Sequence, residues 1–121
     1  MQSRLQLQQR RQHVVEQMLS LGSMKRGTLN AQFLRVPQKG QKEPALRGPY
    51  YVLSRKEAGK TVSQRVASNE VEHVREDIAR YNRFVELSRE FVVISEQLGA
   101  LEAQEGALKK TLNSRSKPTR K

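Results

Sequence analysis

The chain has no cysteine, which excludes disulfides, thiolate metal centres, cysteine nucleophiles and thiol redox chemistry. It has no tryptophan, and three tyrosines and three phenylalanines are all the aromatic residues in 121 positions. A reader of unpaired bases, which stacks them on aromatic side chains, would find few platforms here. No stretch approaches the roughly 20 apolar residues of a membrane span, and the first residues lack the apolar segment of a secretory leader, so the reading is cytoplasmic with no membrane partner. Hydrophobic residues are only 36% of the total, enough for one thin core and not for two.

Acidic residues are also scarce. Lysine and arginine number 23 against 12 acids, a formal charge of +11. A surplus of that size repels itself in a compact state and points to a polyanionic partner. The charge is sorted: residues 1–47 carry +7, 48–66 carry +3, 67–106 carry −5 and 107–121 carry +6. The acidic block reads as a helix and the basic blocks as ligand-facing surface.

The periodicities predict an α+β protein: an N-terminal helix, a three-stranded antiparallel meander and a long C-terminal helix with coiled-coil character. Residues 1–23 form the first part, with Leu7, Val14, Val15, Met18 and Leu19 on one side of a helix that Gly22 ends as a left-handed cap. Residues 24–68 form the sheet. In its first strand Leu29, Ala31 and Phe33 alternate with Thr28, Asn30 and Gln32. A mobile loop is expected at 36–48, where prolines, glycines and cations gather. Tyr50–Arg55 and Thr61–Val66 then read as strands joined by a five-residue link, Lys56–Lys60.

Residues 69–113 read as one helix, with Asn69 as N-cap and Glu72 completing a capping box. Its first stripe, Val71, Val74, Ile78, Tyr81 and Val85, suits the apolar face of the sheet. The stripe then changes phase to Phe84, Leu87, Phe91, Ile94, Leu98, Leu101, Leu108 and Leu112, with Glu105 as the one polar step. These residues form a seam for oligomerisation or a partner, and it packs on the first helix of its own chain or on a second chain; the spacing does not choose. Residues 114–121 read as a disordered basic tail.

The candidate binding residues are Arg26 and Asn30, then Arg55, Lys56, Lys60, Thr61, Ser63 and Arg65 on two neighbouring strands and their link, with Lys109 and Lys110 as auxiliary cations. Arginine, lysine, serine, threonine and asparagine are the side chains that reach phosphates and base edges, and a β-ribbon fits the major groove. The bland alternative is a solvated strand face whose lysines discourage edge pairing. Residues Ser54–Thr61 approach a phosphate-binding loop, but Thr61–Val66 continues as a strand where that loop needs a helix. His13 and His73 lack metal-ligand spacing. The expectation is a non-enzyme with no cofactor and no catalytic residue.

Arg26-Gly27-Thr28-Leu29, Gly48-Pro49-Tyr50-Tyr51-Val52-Leu53-Ser54-Arg55-Lys56 and Gly59-Lys60-Thr61-Val62-Ser63, followed by Glu70–Leu87, resemble a bacterial and archaeal family of unknown function across roughly residues 24–98. Its genes often lie near mobile elements, so the resemblance implies an accessory role in transposition or DNA recombination. Many of its members carry a cysteine cluster where this chain has Val36–Arg47, so no metal role carries over. In pattern alone the chain is similar to the arm-DNA-binding domain of tyrosine recombinases, a three-stranded sheet backed by a helix. The expected function is duplex DNA binding by a nucleoid-associated protein, possible as a homodimer or with a recombinase or transposase. The alternatives are a coiled-coil adaptor that recruits such a partner or a phage component, and an RNA-binding protein.

Overall fold

The computed structural model describes residues 2–116, with side chains as far as Leu112. The order is α1 (Arg4–Ser20), β1 (Thr28–Val36), β2 (Ala45–Glu57), β3 (Lys60–Val66) and α2 (Val71–Ser116), with a single 3₁₀ turn at Ser68–Glu70. The expected α+β architecture is therefore the observed one. The chain divides into two compact units, one from residues up to Leu21 together with those from Phe84 onward, the other Gly22–Arg83.

The first unit is a pair of helices. α1 starts on a capping box: Ser3 Oγ accepts from the Gln6 amide at 3.2 Å, and the Gln6 side chain accepts from the Ser3 amide at 2.9 Å, which satisfies amides that no helical carbonyl reaches. Leu7 and Val14 are buried with Leu87, Ile94 and Leu98 in one cluster, and Met18, Leu21, Phe91 and Leu101 pack around it. The helices run antiparallel, because Arg4 pairs with Glu105 while Arg11 donates to Ser95 Oγ and lies over the Phe91 ring. Burying an aliphatic side chain of this kind is worth about 1.5–3 kcal/mol.

This settles the choice the seam left open and corrects the role given to it. Leu87, Ile94 and Leu98, with most of Phe91 and Leu101, are used within the chain, so they are not a free oligomerisation surface. Beyond the end of α1, Leu108 and Leu112 are exposed, and Phe84 is half-buried. The first helix also differs in detail. Leu19 is 80% exposed, and the helix ends not on a left-handed glycine but on extended Leu21, whose amide donates to the Met18 carbonyl.

The second unit is a meander in the order β1-β2-β3, both pairings antiparallel. β2 begins at Ala45, because Leu34, Arg35 and Val36 pair with Arg47, Leu46 and Ala45, so the loop expected at 36–48 shrinks to residues 37–44. Phe33 sits where the register shifts, opposite both Gly48 and Pro49, which marks a bulge in β2. The five-residue link is a two-residue turn: Glu57 pairs with Lys60, and Ala58 and Gly59 both have positive φ, 50° and 79°. Two such residues make the turn whose twist matches the flanking strands.

α2 enters without the capping box expected at Asn69, which lies inside the 3₁₀ turn; Ala67 precedes the turn and offers no side-chain cap. The buried apolar residues of this unit are Leu53, Val71 and Val74. Asp77 joins them at 2% exposure. Gly27, at φ +127°, is held against β2 so closely that a Cβ there would lie 2.5 Å from the Ser54 carbonyl oxygen, so only glycine fits this entry to β1. At the other end of the chain, residues 114–116 belong to α2 rather than to a disordered tail. The tail cations Lys117, Arg120 and Lys121 lie outside the described residues.

Candidate nucleic-acid interface

Strand alternation and the observed pairings fix the two faces of the sheet. Leu29 opposes Leu53 and Leu53 opposes Gln64, so the face bearing buried Leu53 also carries Ala31, Tyr51, Arg55, Glu57, Lys60, Val62 and Val66. The opposite face carries Thr28, Asn30 and Gln32 from β1, Tyr50, Val52, Ser54 and Lys56 from β2, and Thr61, Ser63 and Arg65 from β3. None of these ten is acidic. Tyr50, Val52 and Ser54, on the central strand, are half-buried by their neighbours, and the other seven are exposed.

This open face has internal order. Arg65 lies over the Tyr50 ring with its guanidinium carbon 4.1 Å from the centroid. Such a contact contributes about 0.5–1 kcal/mol at an exposed site, and it holds the charge over the sheet while leaving guanidinium N–H groups free to bond. Across the same strands, the Ser54 and Ser63 hydroxyls approach to 3.3 Å. Lys56 opposes Thr61 at the turn.

The face therefore unites Asn30, Lys56, Thr61, Ser63 and Arg65 from the expected set and does not include Arg55 or Lys60. The cause is the length of the turn. With two residues between Glu57 and Lys60, parity carries unbroken from β2 to β3, and Arg55 opposes Val62 on the Leu53 side. There its Nη2 donates to Glu57 at 2.9 Å, and its Nε is shielded from solvent without a hydrogen-bond partner. Arg26 is exposed just before β1. Lys109 and Lys110 are exposed on the distal part of α2, in the other unit. Thr28, Gln32, Tyr50 and Ser54 were absent from the expected set, although the first-strand alternation already placed Thr28 and Gln32 beside Asn30.

On the Leu53 side, Asp77 ties the segment before β1 to α2. Its Oδ1 accepts from Ser23 Oγ at 2.5 Å and from Arg80 Nη1 at 2.8 Å, and its backbone carbonyl accepts from the Lys25 amide at 3.1 Å. The Ser23 hydrogen bond, aided by the nearby charges of His73, Arg80 and Lys25, holds its carboxyl below the usual carboxylate range despite the opposing effect of burial. The signal for this residue was its position, three after Val74 and four before Tyr81, inside an apolar stripe. An open cleft of about 370 Å³ adjoins it, lined by Leu53, Gln64, Glu70, His73 and Val74 among others.

Gly59-Lys60-Thr61 lies in a β-turn and the strand after it, so no helix N-terminus is present there to cradle a phosphate. Among the described residues no group of three or more histidines and acids is placed to hold a metal ion, and no helix is long and apolar enough to cross a membrane.

The family described as a domain of unknown function (DUF6788) matches residues 4–76, and the chain belongs to it. The match is consistent with the resemblance to a family of unknown function; it reaches back through α1 and stops at residue 76, short of residue 98, to which the resemblance runs. No curated protein and no solved structure matches the chain.

Proposed function

We propose that this member of a family without an assigned activity binds duplex DNA through the open face of its sheet, and that binding rather than turnover is its function. One observation carries the reading: the ten side chains on that face include two cations, four hydroxyl groups on Thr28, Ser54, Thr61 and Ser63, and two amides, with no carboxylate. Lysine and arginine neutralise phosphates, while hydroxyl and amide groups can bond both phosphate oxygens and base edges. The formal charge of +11 supplies the attraction at longer range. Duplex is favoured over RNA because one tyrosine is the only aromatic on the face. Nucleoid association follows from this reading, and an accessory role beside a mobile element rests on the family resemblance.

Fluorescence anisotropy with a labelled random duplex at several salt concentrations tests the proposal. The logarithm of affinity should fall linearly with the logarithm of salt, and Lys56→Ala and Arg65→Ala should each reduce the slope by about 1. Arg55→Ala, on the other face, should change it less. Equal effects from Lys109→Ala with Lys110→Ala and none from the sheet substitutions would remove the sheet from the interface. A second reading, an adaptor that docks a protein, is favoured only by the exposure of Leu108, Leu112, Val92 and Val93 on α2.

A further inference from the structure

β2 outruns β3. Tyr51 is the last β2 residue with a partner in β3, so Ala45–Tyr50 has only β1 beside it. The result is a two-stranded arm of roughly 20 Å, closed by residues 37–44. Arg35 and Arg47 lie on its strands and Lys39 and Lys42 in its closing loop, against the single acid Glu43.

The arm also carries what such a ribbon cannot bury. Phe33 is 58% exposed, Leu34 53% and Leu46 66%. Two strands alone have no second layer to cover large side chains. The register sets each leucine beside a cation on opposite faces of the ribbon, since Leu34 opposes Arg47 on one and Leu46 opposes Arg35 on the other. Phe33, on β1, lies opposite the bulge that Gly48 and Pro49 make in β2 and shares its face with Arg35.

Apolar wedges flanked by arginines are what a protein uses to enter the minor groove and unstack a base step. A docking protein would cover the apolar groups but leave four cations facing one acid. We propose that the arm enters the minor groove of duplex DNA and kinks it, with Phe33 and Leu46 as the wedge on the face they share with Arg35, and with Arg35, Arg47, Lys39 and Lys42 reaching the flanking phosphates. This rests on the DNA-binding reading and adds a mode to it. The contact is with the groove's width and deformability more than with its bases, so flexible pyrimidine–purine steps are the favoured positions.

The test uses the full chain and a duplex of about 30 base pairs labelled at both ends, with energy transfer reporting the end-to-end distance and anisotropy reporting binding. The wild type should shorten the distance and should prefer, by about tenfold or more, a duplex already weakened by a central mismatch, which has less stacking to lose. Phe33→Ser with Leu46→Ser, both at exposed positions, should keep binding to within about tenfold and lose both the shortening and the mismatch preference. Circular dichroism checks that the variant retains its fold. Wild-type binding without shortening overturns the kink and leaves the sheet reading standing, whereas no duplex binding at all overturns both. If the double substitution abolishes binding to anionic vesicles and leaves DNA bending intact, the arm belongs to a lipid surface and the inference is wrong.

Discussion

Replacing Leu87 by alanine should break the helix pair more than any other single aliphatic truncation. Leu87 is completely buried, in a cluster with Leu7, Val14, Ile94 and Leu98. Truncation of a buried leucine costs about 2.7–5 kcal/mol, with the high end where neighbours cannot collapse into the space. Two helices give few neighbours that can move in from a second layer, yet solvent lies close enough to limit the cavity, so about 3 kcal/mol is expected. Set against roughly 0.05–0.15 kcal/mol per residue for a whole protein, that is a large share of the total and lowers the ratio of folded to unfolded chains by a little more than about a hundredfold. Urea unfolding followed by circular dichroism at 222 nm measures it, with Leu112→Ala, at a site 55% exposed, as the control expected within about 0.5 kcal/mol. Because the seam is filled within one chain, the midpoint should be independent of protein concentration across a hundredfold range. A midpoint that climbs with concentration, or a Leu87→Ala cost no larger than the control, would mean that a second chain fills the seam and the intramolecular packing is wrong.

Two further outcomes follow from the second unit. Asp77 has a lowered carboxyl pKa when folded, from an ordinary value of 3.8, so its charged form contributes stability that is present above that value and is lost as pH falls through the lower, folded one. Asp77→Asn should therefore melt below the wild type at neutral pH, and the gap should narrow below about pH 4; a gap that is unchanged at pH 2.5 would mean that charge plays no part. Ala58 adopts φ 50° in the turn, which costs an ordinary residue roughly 1 kcal/mol. Ala58→Gly should leave stability equal or raise it by up to about 1 kcal/mol, and a clear loss in thermal melting would show that the turn is not of the proposed type.

The parts of the fold that were legible in the sequence are those where period and burial agree. The alternation from Thr28 to Phe33 gave β1 and both of its faces, and the steps of three and four from Leu87 to Leu101 gave the buried side of α2. What failed was local punctuation. Gly22 and Asn69 look like caps, yet α1 closes at extended Leu21, whose amide bonds the Met18 carbonyl, and α2 is entered through a 3₁₀ turn closed by the Glu70 amide on the Ala67 carbonyl, so backbone bonds stand where a capping residue was expected. Proline and glycine at 37–49 looked like loop throughout; residues 37–44 are one, but from Ala45 the strand runs through Gly48 and Pro49 by bulging there. For the site, the misreading of one turn by three residues misplaced Arg55 and Lys60 and kept Ser54 and Tyr50 out of view.

That turn has a consequence for comparing this chain with others of its family. Only Ala58 and Gly59 separate the two strands, so a residue inserted or deleted at this corner either changes the turn type or, where the two-residue turn is kept, slips β3 by one position, bringing Val62 and Val66 to the open face and sending Arg65 to the Leu53 side. The spacing between the Leu53-Ser54-Arg55-Lys56 run and the Thr61-Val62-Ser63 run is thus a ruler: a chain that keeps its length and its turn keeps the same β3 side chains on the open face, and one that changes it by a residue without a longer loop or a bulge turns its third strand inside out.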